Sequence, residues 1–469
     1  MSIFNGKRLT NKAFKLDIER MRQGWYSDQY FVNVEQMLTV LAARGYRYAG
    51  QYPRLTGPAI QDLNTGNMEV EMQISTCRAG KTIVVGVDKA LTMLRHSAGH
   101  WDDSGNFVET YQDLEVLAIQ DGDMVQYPPP NAPGAGNPRT VMPVIKIRGR
   151  YRDFALLETP ILGILSRGSR IATNVYRTLV AARGKPVLFF PARFDAHEVQ
   201  AADGYAYEIA VQRFNQDYRQ HLPSIVSTNA QGDWWGGKGG GTVPHAVIAC
   251  FLGDTAEAMV TFASALPLSV PRIALVDFNN DCLLDSLRTL KAMFEAYRAA
   301  IETGQEEEAR RYILAGVRLD TDTAMRDVNV TPLGDPALDM GVNPRLVFSV
   351  RQALDNAWKE WDLPDEWRGR ARAYCHEVKI AVSGGFTPQK ISLFERVGAP
   401  VDSYGVGPAP MSDENAVSDH SNFTADVVRV KLHGQWVEMS KVGRQACDNP
   451  DLQAVDWSAK KKVRSESEE

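Results

Sequence analysis

A run of three glycines that leads to a histidine is the first stretch whose residue types suit phosphate chemistry. Residues 239–245 are Gly-Gly-Gly-Thr-Val-Pro-His. Glycine leaves backbone N–H groups open to an anion, and Thr242 could cap a helix whose positive end favours negative charge. His245 would then serve as a base, a ligand or a covalent acceptor for a phosphoryl group. The same pattern also fits a glycine loop beside a hydrogen-bonded core histidine, because isolated glycine motifs are weak signals.

Two glycine turns later in the chain carry more specific chemistry. Residues 383–385 are Ser-Gly-Gly, and residues 405–407 are Gly-Val-Gly. Each turn accompanies a strand-like run, so its N–H groups are expected where a barrel binds a monophosphate. Because both turns occur in adjacent units, the sequence favours a phosphate site over two merely tight turns. The site would be formed by Gly384, Gly385, Gly405 and Gly407.

Arg318 and Asp320 lie two residues apart in a strand-like run, so their side chains point to the same face. Arg318 could bind an organic carboxylate or a phosphate, and Asp320 could bind a ribose hydroxyl or a water on Mg²⁺. The structural alternative is an ion pair of the two residues with each other or with neighbouring residues, and the residues alone do not decide. Arg193, together with Arg167 and Arg170, is a candidate contact for a pyrophosphate.

Short apolar runs that alternate with helical stretches after Tyr151 must position these side chains. The strand-like runs cover residues 186–190, 225–227, 273–277, 317–320, 378–382 and 400–404. Helical spacing separates several of them, as at 255–265, 284–301 and 346–359. The alternation predicts a buried parallel sheet, and six or seven such units favour an α/β barrel over an open sheet. Function in a barrel gathers where the strands end, and polar residues, Asp277 among them, occur at the ends of these runs.

The rest of the chain has a different pattern. Residues 12–50 show helical spacing, and 68–150 show short alternating segments broken by a proline-rich loop at 127–138. We predict an N-terminal helical and β-rich domain over 1–150, an α/β barrel domain over 151–410 and a C-terminal segment over 411–469. The charged end of the chain, 460–469, is expected to be solvated.

The composition is that of an ordinary globular protein large enough for two domains. The 469 residues are 44% hydrophobic and 23% charged, and the net charge of −5 argues against a nucleic-acid-coating surface. The N-terminus lacks the apolar core of a signal peptide and no apolar run approaches a membrane span, so we expect no membrane association. Five scattered cysteines without a CxxC pair disfavour a zinc site and a disulfide framework, and they favour a cytoplasmic location.

In this order the motifs resemble those of nicotinate phosphoribosyltransferase, within the type II phosphoribosyltransferases. The resemblance runs over most of the chain, and several short motifs in one order are more specific than any one of them. They are Ser-Asp-Gln-Tyr at 27–30, Leu-Leu-Glu-Thr at 156–159, Ser-Thr-Asn at 227–229, Gly-Thr-Val-Pro-His at 241–245, Val-Arg-Leu-Asp-Thr at 317–321, Val-Ser-Gly-Gly at 382–385 and the stretch 398–407 that ends in Gly-Val-Gly.

The resemblance implies a fold, a reaction and an assembly. The fold is α/β, an irregular TIM-like barrel with a β-sandwich-like domain built from the N- and C-terminal segments, so that residues 411–469 return to the N-terminal domain. The reaction converts nicotinate and phosphoribosyl pyrophosphate to nicotinate mononucleotide and pyrophosphate in NAD salvage, coupled to ATP hydrolysis and with Mg²⁺. The assembly is a homodimer with shared active sites.

By motif position, the resemblance also assigns roles to single residues. His245 would become phosphorylated during the cycle, and Tyr30 would stack on the pyridine ring from the partner subunit. Thr242 and Arg318 would line the nicotinate site, with Arg318 near the carboxylate. The four glycines of the two later turns would hold the 5′-phosphate. His245 and Asp320 are the catalytic candidates.

The chain departs from the family pattern in three places. Pro408 stands where many relatives carry a threonine that contacts phosphate, and residues 319–323 differ from the usual Leu-Asp-Ser-Gly-Asp. The cysteines of a C-terminal zinc knuckle are missing, so we expect no zinc. Two alternatives stay open, a relative that acts on nicotinamide or quinolinate and a non-catalytic barrel that senses a phosphorylated ligand. Arg318 favours a carboxylate over an amide. His245 and both later glycine turns count against the sensor, whereas Pro408 keeps that alternative open.

Overall fold

The protein is described by a computed structural model, which covers residues 7–55, 60, 62–128, 140–412 and 423–457. The chain divides into two compact units, unit 1 (Met1–Thr173 with Asp413–Glu469) and unit 2 (Asn174–Ser412). Most of the predicted proline-rich loop at 127–138 and the whole of the solvated end predicted at 460–469 lie outside the described residues.

Helices and strands alternate along much of the described chain. The helices are α1 (Asn11–Phe14), α2 (Ile18–Arg22), α3 (Gln29–Ala43), α4 (Val87–Ser97), α5 (Glu158–Ala181), α6 (Gln200–Tyr218), α7 (Asn229–Gly232), α8 (His245–Cys250), α9 (Thr255–Ala265), α10 (Cys282–Glu302), α11 (Glu306–Ala309), α12 (Pro336–Asp339), α13 (Pro344–Asn356), α14 (Asp365–Glu377) and α15 (Pro388–Arg396). The strands are β1 (Glu69–Thr76), β2 (Gly80–Ile83), β3 (Gly99–Trp101), β4 (Phe107–Glu109), β5 (Glu115–Ala118), β6 (Met124–Tyr127), β7 (Pro143–Arg150), β8 (Val187–Phe189), β9 (Ile225–Val226), β10 (Ile273–Leu275), β11 (Gly316–Leu319), β12 (Lys379–Val382), β13 (Ser403–Val406), β14 (Phe423–Leu432), β15 (Gln435–Glu438) and β16 (Gln453–Ala454).

The main sheet of unit 1 joins strands from both ends of the chain. Its order is β15-β14-β1-β7-β5-β16, and every neighbouring pair is antiparallel. The buried Glu71 of β1 accepts hydrogen bonds from Arg148 of β7 at 2.6 Å and from Arg429 of β14 at 3.0 Å. These charge-assisted bonds connect the three central strands. The apolar residues of this sheet form one buried cluster with those of α4 and the first half of α5.

Helix α4 interrupts a segment in which the sequence predicted only strands and loops. The buried carboxylate of Asp121 accepts the backbone N–H groups of Gly86 and Val87, both at 2.8 Å, where this helix begins. A carboxylate there satisfies N–H groups that have no partner within the helix, and its charge is favoured at the positive helix end. Because Asp121 is 34 residues away from Val87 in sequence, the local pattern does not reveal this cap.

The sheet of unit 2 is parallel and has the strand order of a barrel. Its order is β10-β11-β12-β13-β8-β9, so consecutive strands are neighbours and the last strand pairs with the first. A doubly wound sheet would instead reverse its order at a switch point. The structure describes all of unit 2, and within it no ladder joins β9 to β10. Val226 of β9 forms a single bridge to Gly239 there.

The predicted α/β fold class is confirmed. All six strand-like runs predicted after Tyr151 contribute strands β8 to β13, and the helical spacing at 255–265 coincides with α9. The sequence pattern did not predict α6, which is buried on nearly all sides along its middle and therefore has no clear amphipathic period. Among the described helices, none combines the length and the apolar character needed to cross a membrane.

Candidate functional site

The parallel sheet of unit 2 places candidate residues in two rows on one face. Register partners on β10 to β13 form the first row, which is Leu275, Arg318, Ala381 and Ser403. Side-chain direction repeats every two residues, so a second row lies nearer the carboxyl ends of the strands. We call this second row the strand-end row; it is Asp277, Asp320, Ser383 and Gly405. Two of its members are in direct contact, since Ser383 Oγ donates a hydrogen bond to Asp320 Oδ1 at 2.7 Å.

His245 is the first residue of α8, and its side chain pairs with the strand-end row. Its Nε2 lies 3.0 Å from Asp277 Oδ2. The imidazole is 47% exposed, whereas the Asp277 side chain is only 9% exposed. A buried carboxylate that holds one ring nitrogen fixes the orientation of the imidazole. The other ring nitrogen, Nδ1, is then the atom available for chemistry.

Asp277 lies in an unfavourable environment for its charge. Burial raises the pKa of the Asp277 carboxyl, the His245 imidazole opposes that shift, and the negative charge of Asp320 adds to it. Asp277 Oδ1 is buried and has no hydrogen-bond partner among the described residues. Burying a polar atom without a partner is costly, so a ligand, a water or a cation at this edge would stabilise the carboxylate.

Arg318 is a half-buried cation on the central strand β11. Its neighbours in that strand, Val317 and Leu319, are fully buried on the opposite face. Within the described residues, Arg318 Nε is buried and makes no hydrogen bond. Among the described residues Arg318 forms no ion pair with Asp320, whose Oδ1 accepts a hydrogen bond from Ser383 instead. The guanidinium is therefore available for a carboxylate or a phosphate.

The turn after β12 presents three successive N–H donors. Gly384 and Gly385 have φ values of +87° and +67°, in the left-handed region that side chains disfavour. In the described part of the chain, the N–H groups of Gly384, Gly385 and Phe386 make no hydrogen bond. Successive N–H groups in such a turn form a concavity that binds anions. We call residues 384–386 the donor turn.

The glycines of β13 have a different structural basis. Gly405 lies inside the strand, where a Cβ would come 3.0 Å from the Ser383 side chain. Gly407 follows the strand, and a Cβ there would come 2.6 Å from the Phe194 ring. Neither glycine has a positive φ, so both positions need glycine for space rather than for conformation. Arg193 is exposed, and its guanidinium carbon lies 5.5 Å from the centroid of the same Phe194 ring.

The glycine run before His245 serves the fold. The N–H of Gly239 donates to Asn229 Oδ1 at 3.0 Å, and the N–H of Gly240 donates to the Val226 carbonyl at 2.8 Å. The expectation that these N–H groups face an anion is therefore wrong for both residues. Through its pairing with Val226, the glycine run extends the hydrogen bonding of the sheet beyond its edge strand β9.

Two further candidates take part in none of the contacts described above. Thr242 does not cap α8, because the helix begins at His245 with Pro244 at the cap position and no capping side chain. Tyr30 belongs to unit 1, where its side chain is 60% exposed and its hydroxyl donates to Asp28 at 3.2 Å. An exposed aromatic ring of this kind is available for stacking.

A resident metal centre is not evident in the described part of the chain, where no group of three or more His, Cys, Asp or Glu side chains could hold an ion. Mg²⁺ needs fewer protein ligands when substrate phosphates supply the others. Asp277 and Asp320, which are neighbours in the strand-end row, are carboxylates that could serve a substrate-borne Mg²⁺.

Sequence reasoning missed the roles of two residues. It noted Asp277 only as a polar strand end, because the pairing with His245 joins positions 32 residues apart. It did not select Lys390, whose Nζ lies 3.4 Å from the Gly384 carbonyl oxygen. The available signal for Lys390 was its spacing, six residues after Gly384 and within the first turn of the helix that follows the donor turn.

Comparisons with known proteins identify the fold. No protein-family model matches the chain. The structure is similar to the crystal structure of nicotinate-nucleotide pyrophosphorylase from Pyrococcus furiosus, with 24% identity, a TM-score of 0.57 and coverage of 94% of this chain and 84% of that one. It is also similar to human nicotinic acid phosphoribosyltransferase, with 16% identity, a TM-score of 0.54 and coverage of 88% and 75%. The predicted resemblance to type II phosphoribosyltransferases is confirmed at the level of the fold.

Proposed function

We propose that this protein is a nicotinate phosphoribosyltransferase, which converts nicotinate and phosphoribosyl pyrophosphate to nicotinate mononucleotide and pyrophosphate with coupled ATP hydrolysis. Two proteins of similar fold are named for nicotinic acid or for nicotinate nucleotide. Fold alone does not assign a reaction, so the proposal depends on the side chains and backbone groups of unit 2.

The observation that carries the proposal is a set of unpaired donors at one end of the parallel sheet. Arg318 Nε and the N–H groups of the donor turn have no partners among the described residues. Such donors bind anions, and the two substrates bring a carboxylate and a 5′-phosphate. We assign Arg318 to the carboxylate of nicotinate and the donor turn to the phosphate. Arg193, whose guanidinium lies over the Phe194 ring, is assigned to the pyrophosphate.

The transfer itself needs little chemistry from side chains. The bond from the ribose C1′ to the pyrophosphate oxygen breaks, its electron pair leaves with pyrophosphate, and the pyridine nitrogen lone pair forms the new C1′–N bond. The ribose carries positive charge while this happens, and we assign Asp320 of the strand-end row to stabilise that charge. Positioning and electrostatics therefore supply most of the rate enhancement.

His245 is proposed as the acceptor of a phosphoryl group from ATP. Because Asp277 holds Nε2, the lone pair of Nδ1 attacks the γ-phosphorus, and ADP leaves with the electron pair of the broken P–O bond. The proton on Nε2 stays shared with Asp277. Water later cleaves the N–P bond and releases phosphate. The phosphorylated imidazole places negative charge beside the strand-end row, which couples ATP to the transfer.

Two partners complete the proposal. Mg²⁺ would arrive with phosphoribosyl pyrophosphate and ATP, and Asp277 and Asp320 would contact it directly or through its waters. A second copy of the chain would supply Tyr30 as the ring that stacks on the pyridine, which its exposure on unit 1 supports.

The test of the proposal is an assay of the purified protein with phosphoribosyl pyrophosphate and each of nicotinate, nicotinamide and quinolinate, with and without ATP. We expect nicotinate mononucleotide from nicotinate, with more product in the presence of ATP. Product from nicotinamide or quinolinate instead would reassign the substrate. A protein that yields no product from any pyridine would fit the non-catalytic sensor.

His245→Ala tests the coupling step. We expect the variant to lose ATP turnover while it keeps some phosphoribosyl transfer, because transfer does not pass through the imidazole. ADP and nicotinate mononucleotide are measured in the same reaction. His197→Ala is the matched control, since His197 is an exposed histidine that follows β8 in the same unit. Equal ATP turnover per product in His245→Ala and in the wild type would refute the role of His245.

A further inference from the structure

Lys390 is a half-buried cation that the proposed reaction does not use. It lies in the first turn of α15, and its Nζ contacts two parts of the donor turn. The Gly384 carbonyl oxygen is 3.4 Å away, and the centroid of the Phe386 ring is 4.4 Å away. Burial lowers the pKa of the Lys390 ammonium to about 8. A cation held at such a cost against a backbone carbonyl suggests a role for that contact.

The peptide unit between Gly384 and Gly385 connects the lysine to the open side of the donor turn. In a trans peptide, the carbonyl of one residue and the N–H of the next point in opposite directions. The Gly384 carbonyl points toward Lys390, so the Gly385 N–H points away from it. Gly385 is exposed, and its N–H is one of the three that make no hydrogen bond to the described residues.

Glycine on both sides leaves this peptide unit able to rotate. Glycine occupies left-handed and right-handed backbone regions at similar cost, so neither residue fixes the plane between them. A rotated peptide would present its carbonyl oxygen, instead of its N–H, to an anion. An ammonium on the carbonyl opposes this rotation, because hydrogen bonds from charged donors are stronger than neutral ones. The positive charge of the ammonium also favours the orientation in which the N–H, the positive end of the peptide dipole, is on the exposed side.

We propose that Lys390 is a positioning residue for phosphate binding, whose ammonium holds the Gly384 carbonyl so that the Gly385 N–H faces a bound phosphate monoester. Lys390 acts through the peptide and does not touch the ligand. The inference rests on the proposed function for the identity of that ligand, the 5′-phosphate of phosphoribosyl pyrophosphate.

The test compares Lys390→Met with Lys390→Arg. Methionine keeps an unbranched apolar side chain against Phe386 but removes the charge, whereas arginine keeps the charge. Lys379→Met is the control for loss of a positive charge in the same unit, because Lys379 lies at the opposite end of β12 and is 67% exposed. The dissociation constant of ribose 5-phosphate is measured by isothermal titration calorimetry, and KM and kcat are measured for both substrates.

We expect Lys390→Met to raise the Kd of ribose 5-phosphate and the KM of phosphoribosyl pyrophosphate about tenfold, the usual size of one charge-assisted hydrogen bond. The KM of nicotinate should stay within about twofold of the wild-type value. Lys390→Arg should recover most of the affinity, and Lys379→Met should bind as the wild type does. A crystal structure of Lys390→Met without ligand should show the Gly384–Gly385 peptide rotated.

A Kd for ribose 5-phosphate in Lys390→Met within about twofold of wild type would overturn the proposal. Equal losses of ribose 5-phosphate affinity in Lys390→Met and Lys390→Arg would also overturn it, because the charge would then not matter. So would a Lys390→Met variant that loses affinity while its Gly384–Gly385 peptide keeps the wild-type orientation. If Lys390→Met does not fold, Lys390→Gln is measured with the same expected result. Ribose 5-phosphate binding requires neither a pyridine nor turnover. A wild type that binds ribose 5-phosphate but forms no product from phosphoribosyl pyrophosphate and any pyridine would refute the proposed function and leave the role of Lys390 testable.

Discussion

Two glycine runs lie beside strands of the same parallel sheet, but their N–H groups have different partners. Gly384-Gly385 follow β12 directly, whereas Gly239-Gly240-Gly241 come after α7 and pair with β9 through Gly239. Gly239 and Gly240 donate to Asn229 and to the Val226 carbonyl. The N–H groups of Gly384 and Gly385 make no hydrogen bond to the described residues, and both residues have a positive φ, which no glycine of the first run has. The number of glycines is therefore a poorer indicator of an anion site than the partners of their N–H groups.

The position of each strand in the sheet explains the difference. β9 is at the edge of the sheet, so its backbone groups remain open to a passing segment, and the first glycine run uses them. β12 lies between β11 and β13, and both of its edges are already paired. The turn that follows it has no strand edge to bind, and its N–H groups stay available for a ligand.

Gly384→Val should produce the largest change in substrate binding. Valine at a φ of +87° is strained by about 1–3 kcal/mol, and relief of that strain turns the peptides of the donor turn. We expect the KM of phosphoribosyl pyrophosphate to rise roughly 10- to 100-fold. Gly398→Val is the matched control, because Gly398 has a φ of +68° and a Cβ there would meet no atom within 4 Å. Similar KM values for the two variants would mean that the donor turn does not bind the phosphate.

Gly239→Ala should instead affect stability. A Cβ on Gly239 would come 2.7 Å from the backbone of Thr228, and backbone can move less easily than the end of a side chain. We expect urea unfolding to show a loss of about 1–3 kcal/mol, with the KM of phosphoribosyl pyrophosphate unchanged. Gly241→Ala should lose less than about 0.5 kcal/mol, since a Cβ there would meet nothing within 4 Å. A large rise of KM in Gly239→Ala, at unchanged stability, would mean that the first glycine run contacts the phosphate after all.

The same contrast shows what sequence reasoning can and cannot supply. Apolar runs bounded by polar residues predicted the six parallel strands, because a strand buried on both faces needs that pattern over its own length. The period of two likewise predicted that Arg318 and Asp320 point to one face. The hydrogen-bond partners of the N–H groups in the glycine runs could not be predicted in this way, because these partners depend on which strand is at the sheet edge. The contacts of Asp277 with His245 and of Asp121 with α4 also join distant positions, and no local pattern encodes them.

Lys390 is expected to have the smallest of these effects, and the pH dependence of that effect tests whether the donor turn binds phosphate as the first glycine run does not. Burial lowers the pKa of Lys390 from 10.5 in the unfolded chain to about 8 in the folded protein. Between these values the unfolded chain binds the extra proton, so the contribution of this lysine to the free energy of unfolding rises with pH. Phosphate affinity should change in the opposite direction, because the neutral amine holds the Gly384 carbonyl less strongly.

We therefore expect the wild type to gain stability relative to Lys390→Met as the pH is raised from about 7.5 to about 9.5. Over the same range, the ratio of the ribose 5-phosphate Kd of Lys390→Met to that of the wild type should fall from about ten toward one. The ligand does not contribute to this trend, because the second pKa of a phosphate monoester is about 6. Urea unfolding and calorimetry of both proteins at each pH measure the two quantities. An affinity ratio that stays constant over this pH range would show that the lysine charge does not orient the donor turn, and a purely steric role for the side chain would then explain its position against Phe386.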